Sequence, residues 1–472
     1  MSGSTNQAPG PEGPPAQPGP HWLLARGLER APDHPGAGPA AALLHKRRIA
    51  TALKPLLPQA PGSGPPLSGF SGPPDDSTAW VAEQHGPTAT GHWDLAIFVD
   101  PWLSMEFWRP VTAEFLHLLR RLGLCRQEAA HTFDRESVSE WTRPPRSGGR
   151  QPNTGPAVVL TDGLADAWYT AGAGGLLHAL GQVCPVVVVH LLPEELWPST
   201  GIVPRPRAVY GQVRGPRWPA GSGEAAPDAF PVPVLALREA ALSRWAKFLA
   251  RGPGSWSHLP TLLVPAPAAP LAPPPLPAWH DSAGTVGELI ADFGRTASEG
   301  ARTLATALAA VPLNLPVMRH VQSRAVPGSA PDLLSELFIG GLLVPVVRPA
   351  EVRDHDRITF DFPAGARQLL LTSVKRASTA EVLADAASFV EHTLGVPGVA
   401  RWGGLHEAAD GTEEQPVTAG SEPFLRVQLD VLKTLSGPYA ARARALEAAL
   451  DAWSGRRPGD GQGPPVADFA GP

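Results

Sequence analysis

The sequence predicts an α/β protein: a doubly wound, mostly parallel sheet followed by a second, mainly helical domain. Three observations carry that reading. DLAIFV, AVVLTD and PVVVVHLLP are continuous apolar runs rich in Val and Ile, the pattern of strands buried on both faces of a parallel sheet. Amphipathic helix patterns alternate with them, as βαβ connections require. A proline-rich run, PAPAAPLAPPPLPAW, then separates this alternation from a stretch of largely helical spacing. At 472 residues the chain exceeds one ordinary core, and its 57 Pro and 49 Gly fall in clusters, so compact units joined by connectors are expected.

Taken in order, residues 1–20 show no basic region followed by an apolar one, hence neither a signal peptide nor an anchor, and read as disordered. Residues 21–58 have helical spacing in two pieces around PDHPGAGP and read as a short helical pair. Its basic patch, His45, Lys46, Arg47 and Arg48, reads as a solvated helix face rather than a nucleic-acid contact. Residues 59–90, rich in Pro, Gly and Ser, read as a linker.

The α/β domain is placed at 91–266. Its first strand, DLAIFV, leads into a helix with Phe107, Trp108, Val111, Phe115, Leu118, Leu119 and Leu122 on its apolar face and Gly123 at its C-terminal stop. Strands in LCRQEAAHTF, AVVLTD, PVVVVHLLP and VPVLAL follow, with helices in GGLLHALGQV and EAALSRWAKFLARG. A Pro-rich linker is assigned to 267–282 and a winged-helix-like domain to 283–395. There, helices near 285–310, 315–325 and 331–343 precede an extended pair at VPVVRP and RITFDFP, the order of a winged helix, and two further helices lie near 364–374 and 378–394. Residues 396–472 are assigned one more helix, FLRVQLDVLKTL or ARARALEAALDAW, and a disordered tail.

The net charge of −5, without a long basic run, gives no electrostatic reason to expect nucleic acid. The third helix of the winged-helix-like region, PDLLSELFIGGLL, offers Asp332, Ser335 and Glu336 where a DNA reader needs donors. Arg319 and His320 read as the solvated side of the helix before it. Cys125 and Cys184, each preceded by an apolar residue, suggest buried thiols in a reducing cytoplasm. No apolar segment is long and uninterrupted enough to span a bilayer, so a cytoplasmic protein is expected. Phosphate-loop, HExxH, CxxC and GxSxG signatures are absent from the sequence, and the glycines of AGAGGLLHAL miss the dinucleotide spacing. His190 reads as a satisfied histidine at a strand end and Trp197 as a packing anchor.

Ligands of open α/β sheets bind beyond the carboxyl ends of the strands, where strand order reverses. Asp100 ends the first strand and Asp162 ends AVVLTD, so the two carboxylates meet in one crevice if these strands are neighbours. The motifs VDPWLSM and VVLTDG resemble the first and last metal-site motifs of a von Willebrand factor A domain. That resemblance implies an oxygen-ligated cation, Mg²⁺, with Asp100, Ser104 and Asp162 as ligands. Trp102 stands where the family has its first Ser, which leaves the site degenerate, and Thr132 and Thr154 are candidates for the missing Thr loop by location alone. If the metal is lost, the surface around Trp102, Trp108, Asp166 and Trp168 serves as the partner contact.

Over 90–395, the segments LTDG, HLLPEELWP and FDFPAGARQLLL are similar to a bacterial family common in actinobacteria. Its von Willebrand A-like regions precede effector, protease, repeat or NTPase modules in NTP-dependent conflict systems resembling antiviral defence. The resemblance implies a non-enzymatic regulator or scaffold acting on a separately encoded partner. Two other readings remain: a Mg-dependent hydrolase using Asp100 and Asp162, and a winged-helix DNA-binding regulator.

Overall fold

The computed structural model describes residues 46–57, 80–83, 94–125, 130–143, 155–212, 229–251, 255–265, 285–346, 359–396, 399, 417–418 and 420–454. The expectations for 1–45 and for Thr154 lie outside these residues.

The apolar runs become strands of one eight-stranded sheet, formed by β1 (Trp80–Glu83), β2 (Ala96–Val99), β3 (His131–Thr132), β4 (Ala157–Thr161), β5 (Val186–His190), β6 (Arg205–Gln212), β7 (Phe230–Ala236) and β8 (Trp256–Val264). Their order is β1-β6-β8-β7-β5-β4-β2-β3. The pairs made by β3, β2, β4, β5 and β7 are parallel, and β2, β4, β5 and β7 are buried along their whole length, as their unbroken hydrophobicity requires. The sheet is mixed, because β8 runs antiparallel to both β6 and β7. Neither β6 nor β8 stands out in the sequence: β8 mixes buried, half-buried and exposed positions, a weaker signal than a run of valines. One correction concerns 59–90. That stretch contains β1, which pairs in parallel with β6, so it is not connector throughout.

Helices α1 (Lys46–Leu53), α2 (Met105–Arg121), α3 (Arg135–Thr142), α4 (Asp166–Tyr169), α5 (Ala171–Gly181) and α6 (Glu239–Arg251) flank the sheet. α2 ends near Gly123, whose φ of +70° is a conformation glycine adopts without a Cβ penalty. α1 packs on α6, and Ile49, Ala52, Leu53 and, in the 3₁₀ turn that follows, Leu56 are fully buried. Each of the larger chains contributes about 1.5–3 kcal/mol as an upper estimate. The basic side of α1 meets acids of its neighbours, Lys46 with Glu114 of α2 and Arg48 with Glu239 of α6.

The helical region runs α7 (Val286–Thr296), α8 (Glu299–Leu308), β9 (Leu313–Asn314), α9 (Leu315–Ala325), α10 (Asp332–Ile339), β10 (Val344–Pro345), β11 (Thr359–Asp361), α11 (Ala366–Thr372), α12 (Arg376–His392), α13 (Glu422–Leu435) and α14 (Ala440–Ser454). The expected helix near 285–310 is two helices, since Ser298 adopts an extended conformation and caps α8 through Ala301 N–H, while a Thr285–Glu288 capping box starts α7. β9, β10 and β11 form an antiparallel sheet in the order β10-β11-β9. Both candidate C-terminal segments are helical, and α13 and α14 pack on each other through Leu425, Leu432, Leu446 and Leu450. The FDFPAGAR segment owes its residues to one side chain. Buried Arg367 donates to the carbonyls of Ala309 and Val311 and to Asp361, pinning α11 beneath the end of α8.

The α/β and helical regions share one hydrophobic core that runs from Ile49 to Leu435. The junction is made by the start of α2. Phe107 packs against Phe338 and Phe360, Trp108 Nε1 donates to Ser335 Oγ at 3.0 Å, and Arg319 donates to the Glu106 carbonyl at 2.7 Å. Arg319 and His320 therefore do not form a solvated face; His320 stacks on Phe389 and bonds Asp385 at 2.7 Å.

Candidate functional site

Strand β3 lies on one side of β2 and β4 on the other, so strand order reverses between β2 and β4. Val99 pairs with Leu160 and Asp100 N–H donates to the Leu160 carbonyl at 2.9 Å, so Asp100 and the pair Thr161–Asp162 leave the sheet side by side. The crevice expected from the sequence is thus assembled, and Asp100, Ser104, Thr161 and Asp162 are all buried, none more than 2% exposed.

Asp100 is fully served by protein donors. Its Oδ1 accepts Trp102 N–H at 3.1 Å, and its Oδ2 accepts Thr161 Oγ1–H at 2.6 Å and Trp168 Nε1–H at 2.7 Å. Asp162 is half served: Oδ1 accepts Leu164 N–H at 3.1 Å, while Oδ2 has no hydrogen-bond partner, nor does Ser104 Oγ. The Ser104 hydroxyl lies against the Asp162 carboxyl and favours its charged form, yet the two atoms do not complete a well-aligned bond.

Electrostatics separate the two acids. Burial raises Asp100 above the usual carboxylate range, and its three donors work against that rise. Asp162 is pushed up to about 7, first by burial and then by the negative charge of Asp100. The negative charge of Asp100 beside it thus makes the Asp162 carboxyl harder to ionise than an ordinary carboxylic acid. Tyr169 is raised as well, by burial and then by Asp162 and Asp166.

Behind the carboxylates lies a second buried polar knot. Gly163 has φ +71°, and a Cβ there would meet His190 Nε2 and Thr200 Oγ1 at 3.0 Å, so the glycine of TDG is required by both conformation and space. His190, fully buried, stacks on Trp197, accepts Leu192 N–H at Nδ1 and faces Thr200 Oγ1 at 3.3 Å through Nε2. Burial lowers it to about 3, so it is neutral and bonded, as expected of a satisfied core histidine. Trp197 is buried and donates to the Leu192 carbonyl. Cys125 and Cys184 are buried free thiols, the latter raised to about 12 by burial.

The expected partner surface is not assembled as one patch. Trp168 is completely buried, stacked on Phe133 at 5.6 Å, and Trp108 is interior with its Nε1 spent on Ser335. Trp102 is half-buried and Asp166 exposed. Both tryptophans had helix-face or loop positions compatible with exposure, and only packing against residues far along the chain takes them inside. Sequence reasoning missed Thr161 and Trp168 as the partners of Asp100. Thr161 had a signal, since it directly precedes Asp162 in a strand beside β2; Trp168, 68 residues from Asp100, had none.

Two carboxylates and a hydroxyl at a switch point can hold a hard cation only if their lone pairs are free. Mg²⁺ asks for near-octahedral oxygen ligation. Here the Asp100 oxygens face N–H and O–H protons, Trp102 brings no oxygen, and Thr132 is buried at the end of β3 beside Val99, with Phe133 N–H bonded to the Val99 carbonyl. Asp162 Oδ2 and Ser104 Oγ are the acceptors left, too few to fit the ion. Among the described residues no group of three or more His, Cys, Asp or Glu side chains is placed to hold a metal ion. The chain matches no family model, no curated protein and no solved structure.

Proposed function

We propose that this chain is a regulatory or scaffolding protein that binds a separately encoded protein partner, with an A-like crevice whose metal site is degenerate. The supporting observation is the saturation of Asp100 by Trp102, Thr161 and Trp168 inside a crevice closed to solvent. A carboxylate occupied in this way ties β2, β4 and α4 together and is not available to a substrate. The placement in a bacterial conflict, antiviral-defence or signalling system, with an NTPase, protease or other effector as partner, rests on the resemblance of LTDG, HLLPEELWP and FDFPAGARQLLL. The helix–strand–helix–helix–strand–strand order from α8 to β11 supports a winged-helix-like second region.

Calorimetric titration with Mg²⁺ and Mn²⁺ tests the degenerate site. No saturable binding is expected, for the native chain or for Asp100→Asn. Tight binding that Asp100→Asn abolishes would move the reading to the Mg-dependent hydrolase, which the free Asp162 Oδ2 and Ser104 Oγ favour. The DNA-binding reading is opposed by α10, whose Leu333, Leu334, Leu337 and Phe338 are buried and whose Ser335 is taken by Trp108.

A further inference from the structure

Helix α6 presents Arg244, Lys247 and Arg251 at steps of three and four, one face of a helix over about 10 Å at 1.5 Å per residue. All three are exposed and make no ion pair among the described residues. They border two adjoining hollows. The first, about 780 Å³, lies between α1 and α6 and is lined by Arg48, Leu237, Arg238, Ala240, Arg244 and Lys247. The second, about 530 Å³, shares Arg244 and continues to Arg251, Trp256 and His258. Arg48 and Arg238 are partly neutralised by Glu239 and Glu194.

We infer that this flank is the docking site for an acidic segment of a protein partner that also carries leucines or similar aliphatic side chains. The inference deepens the partner-binding reading above and rests on it. The cations call for carboxylates, and guanidinium groups pair with them in bidentate fashion. Leu237, half-buried, and Ala240 add apolar surface that a nucleic-acid backbone or free phosphate has nothing to match. On a chain of net charge −5, a basic stripe without ion-pair partners among the described residues orients an acidic partner toward one face. In an extended segment, glutamates two residues apart stand about 6.6 Å from each other at about 3.3 Å per residue, close to the spacing of successive cations along α6 at about 1.5 Å per helical residue.

The test uses the full chain and a fluorescein-labelled peptide, Leu-Glu-Glu-Leu-Glu-Glu-Leu-Glu-Glu, followed by fluorescence anisotropy. The double variant Arg244→Glu with Lys247→Glu, both side chains solvent-facing, should melt as the native chain does and bind at least about tenfold more weakly. Replacing the leucines of the peptide by serine should weaken binding severalfold, and added salt should weaken it further. Absence of peptide binding to the native chain, or equal affinity of the double variant, overturns the inference. So does tighter binding at this face by single-stranded oligothymidylate or by pyrophosphate. Loss of the peptide site with Mg²⁺ still unbound sinks this surface and leaves the scaffolding reading standing; tight Asp100-dependent Mg²⁺ binding with the peptide site intact does the reverse.

Discussion

The strand-end crevice and the outer flank of α6 both carry charge, and they use it in opposite ways. In the crevice, Asp100, Thr161 and Trp168 are removed from water and turned toward one another, with the Asp162 carboxyl buried beside them and bonded through Oδ1 alone. On the flank, Arg244, Lys247 and Arg251 stand in solvent with no partner among the described residues. A buried polar group must be matched internally, because losing its water without a bond costs more than the bond returns. An exposed cation carries no such obligation and remains available to another molecule. The side chains that look most like a reactive site are thus those most committed to holding the fold.

That contrast breaks most visibly at Trp168. Trp168→Ala removes a fully buried ring and one of the three donors to Asp100, and should cost about 3–5 kcal/mol in urea unfolding. Trp168→Phe keeps an aromatic ring but loses the N–H donor to Asp100 and part of the buried indole volume, for about 1.5–3 kcal/mol. If the two variants were equally stable, and close to the native chain, the crevice would not be a structural knot. Gly163→Ala should cost about 1–3 kcal/mol, from a positive φ and a Cβ against His190 and Thr200. Across the junction of the two regions, a double-mutant cycle on Trp108→Phe and Ser335→Ala should return a coupling of about 1 kcal/mol. Lys46→Ala, which breaks a partly exposed pair with Glu114, should cost at most about 1 kcal/mol.

The pH dependence sharpens the same comparison. Asp162 is raised from 3.8 to about 7, so its contribution is full below 3.8 and is lost as pH climbs through about 7. His190 is lowered from 6.5 to about 3, so its contribution is full above 6.5 and is lost as pH falls toward 3. The two oppose each other over the window they share. Asp162→Asn removes the first, so its stability should rise with pH more steeply than that of the native chain between about 4 and 6.5. His190→Asn should show the opposite slope change, though with a lower baseline. Urea midpoints measured across that window check both signs.

Much of the fold was legible locally. The valine runs of β4 and β5, the apolar face of α2 with Gly123 at its end, and the span of α9 depend on neighbours within a turn or a strand. The break at Ser298 was less legible, because the capping residue sits in an otherwise continuous helical pattern. β6 and β8 escaped notice because antiparallel strands at this end of the sheet lack an unbroken apolar run. In the candidate site, the meeting of Asp100 with Asp162 followed from two strand ends and one rule of α/β topology. The burial of Trp108 and Trp168 did not, since a tryptophan on an amphipathic helix or after a strand reads the same inside or out.

By itself the sequence determined which segments are strands and helices over most of the described chain, and that two acids stand at strand ends, because periodicity, capping and glycine conformation act over a few residues. Tertiary structure alone decided what those acids do. Thr161 and Trp168 reach Asp100 across 61 and 68 residues, and Trp108 reaches Ser335 across 227. No local pattern encodes such pairings; they arise when the core closes and each buried donor must find an acceptor.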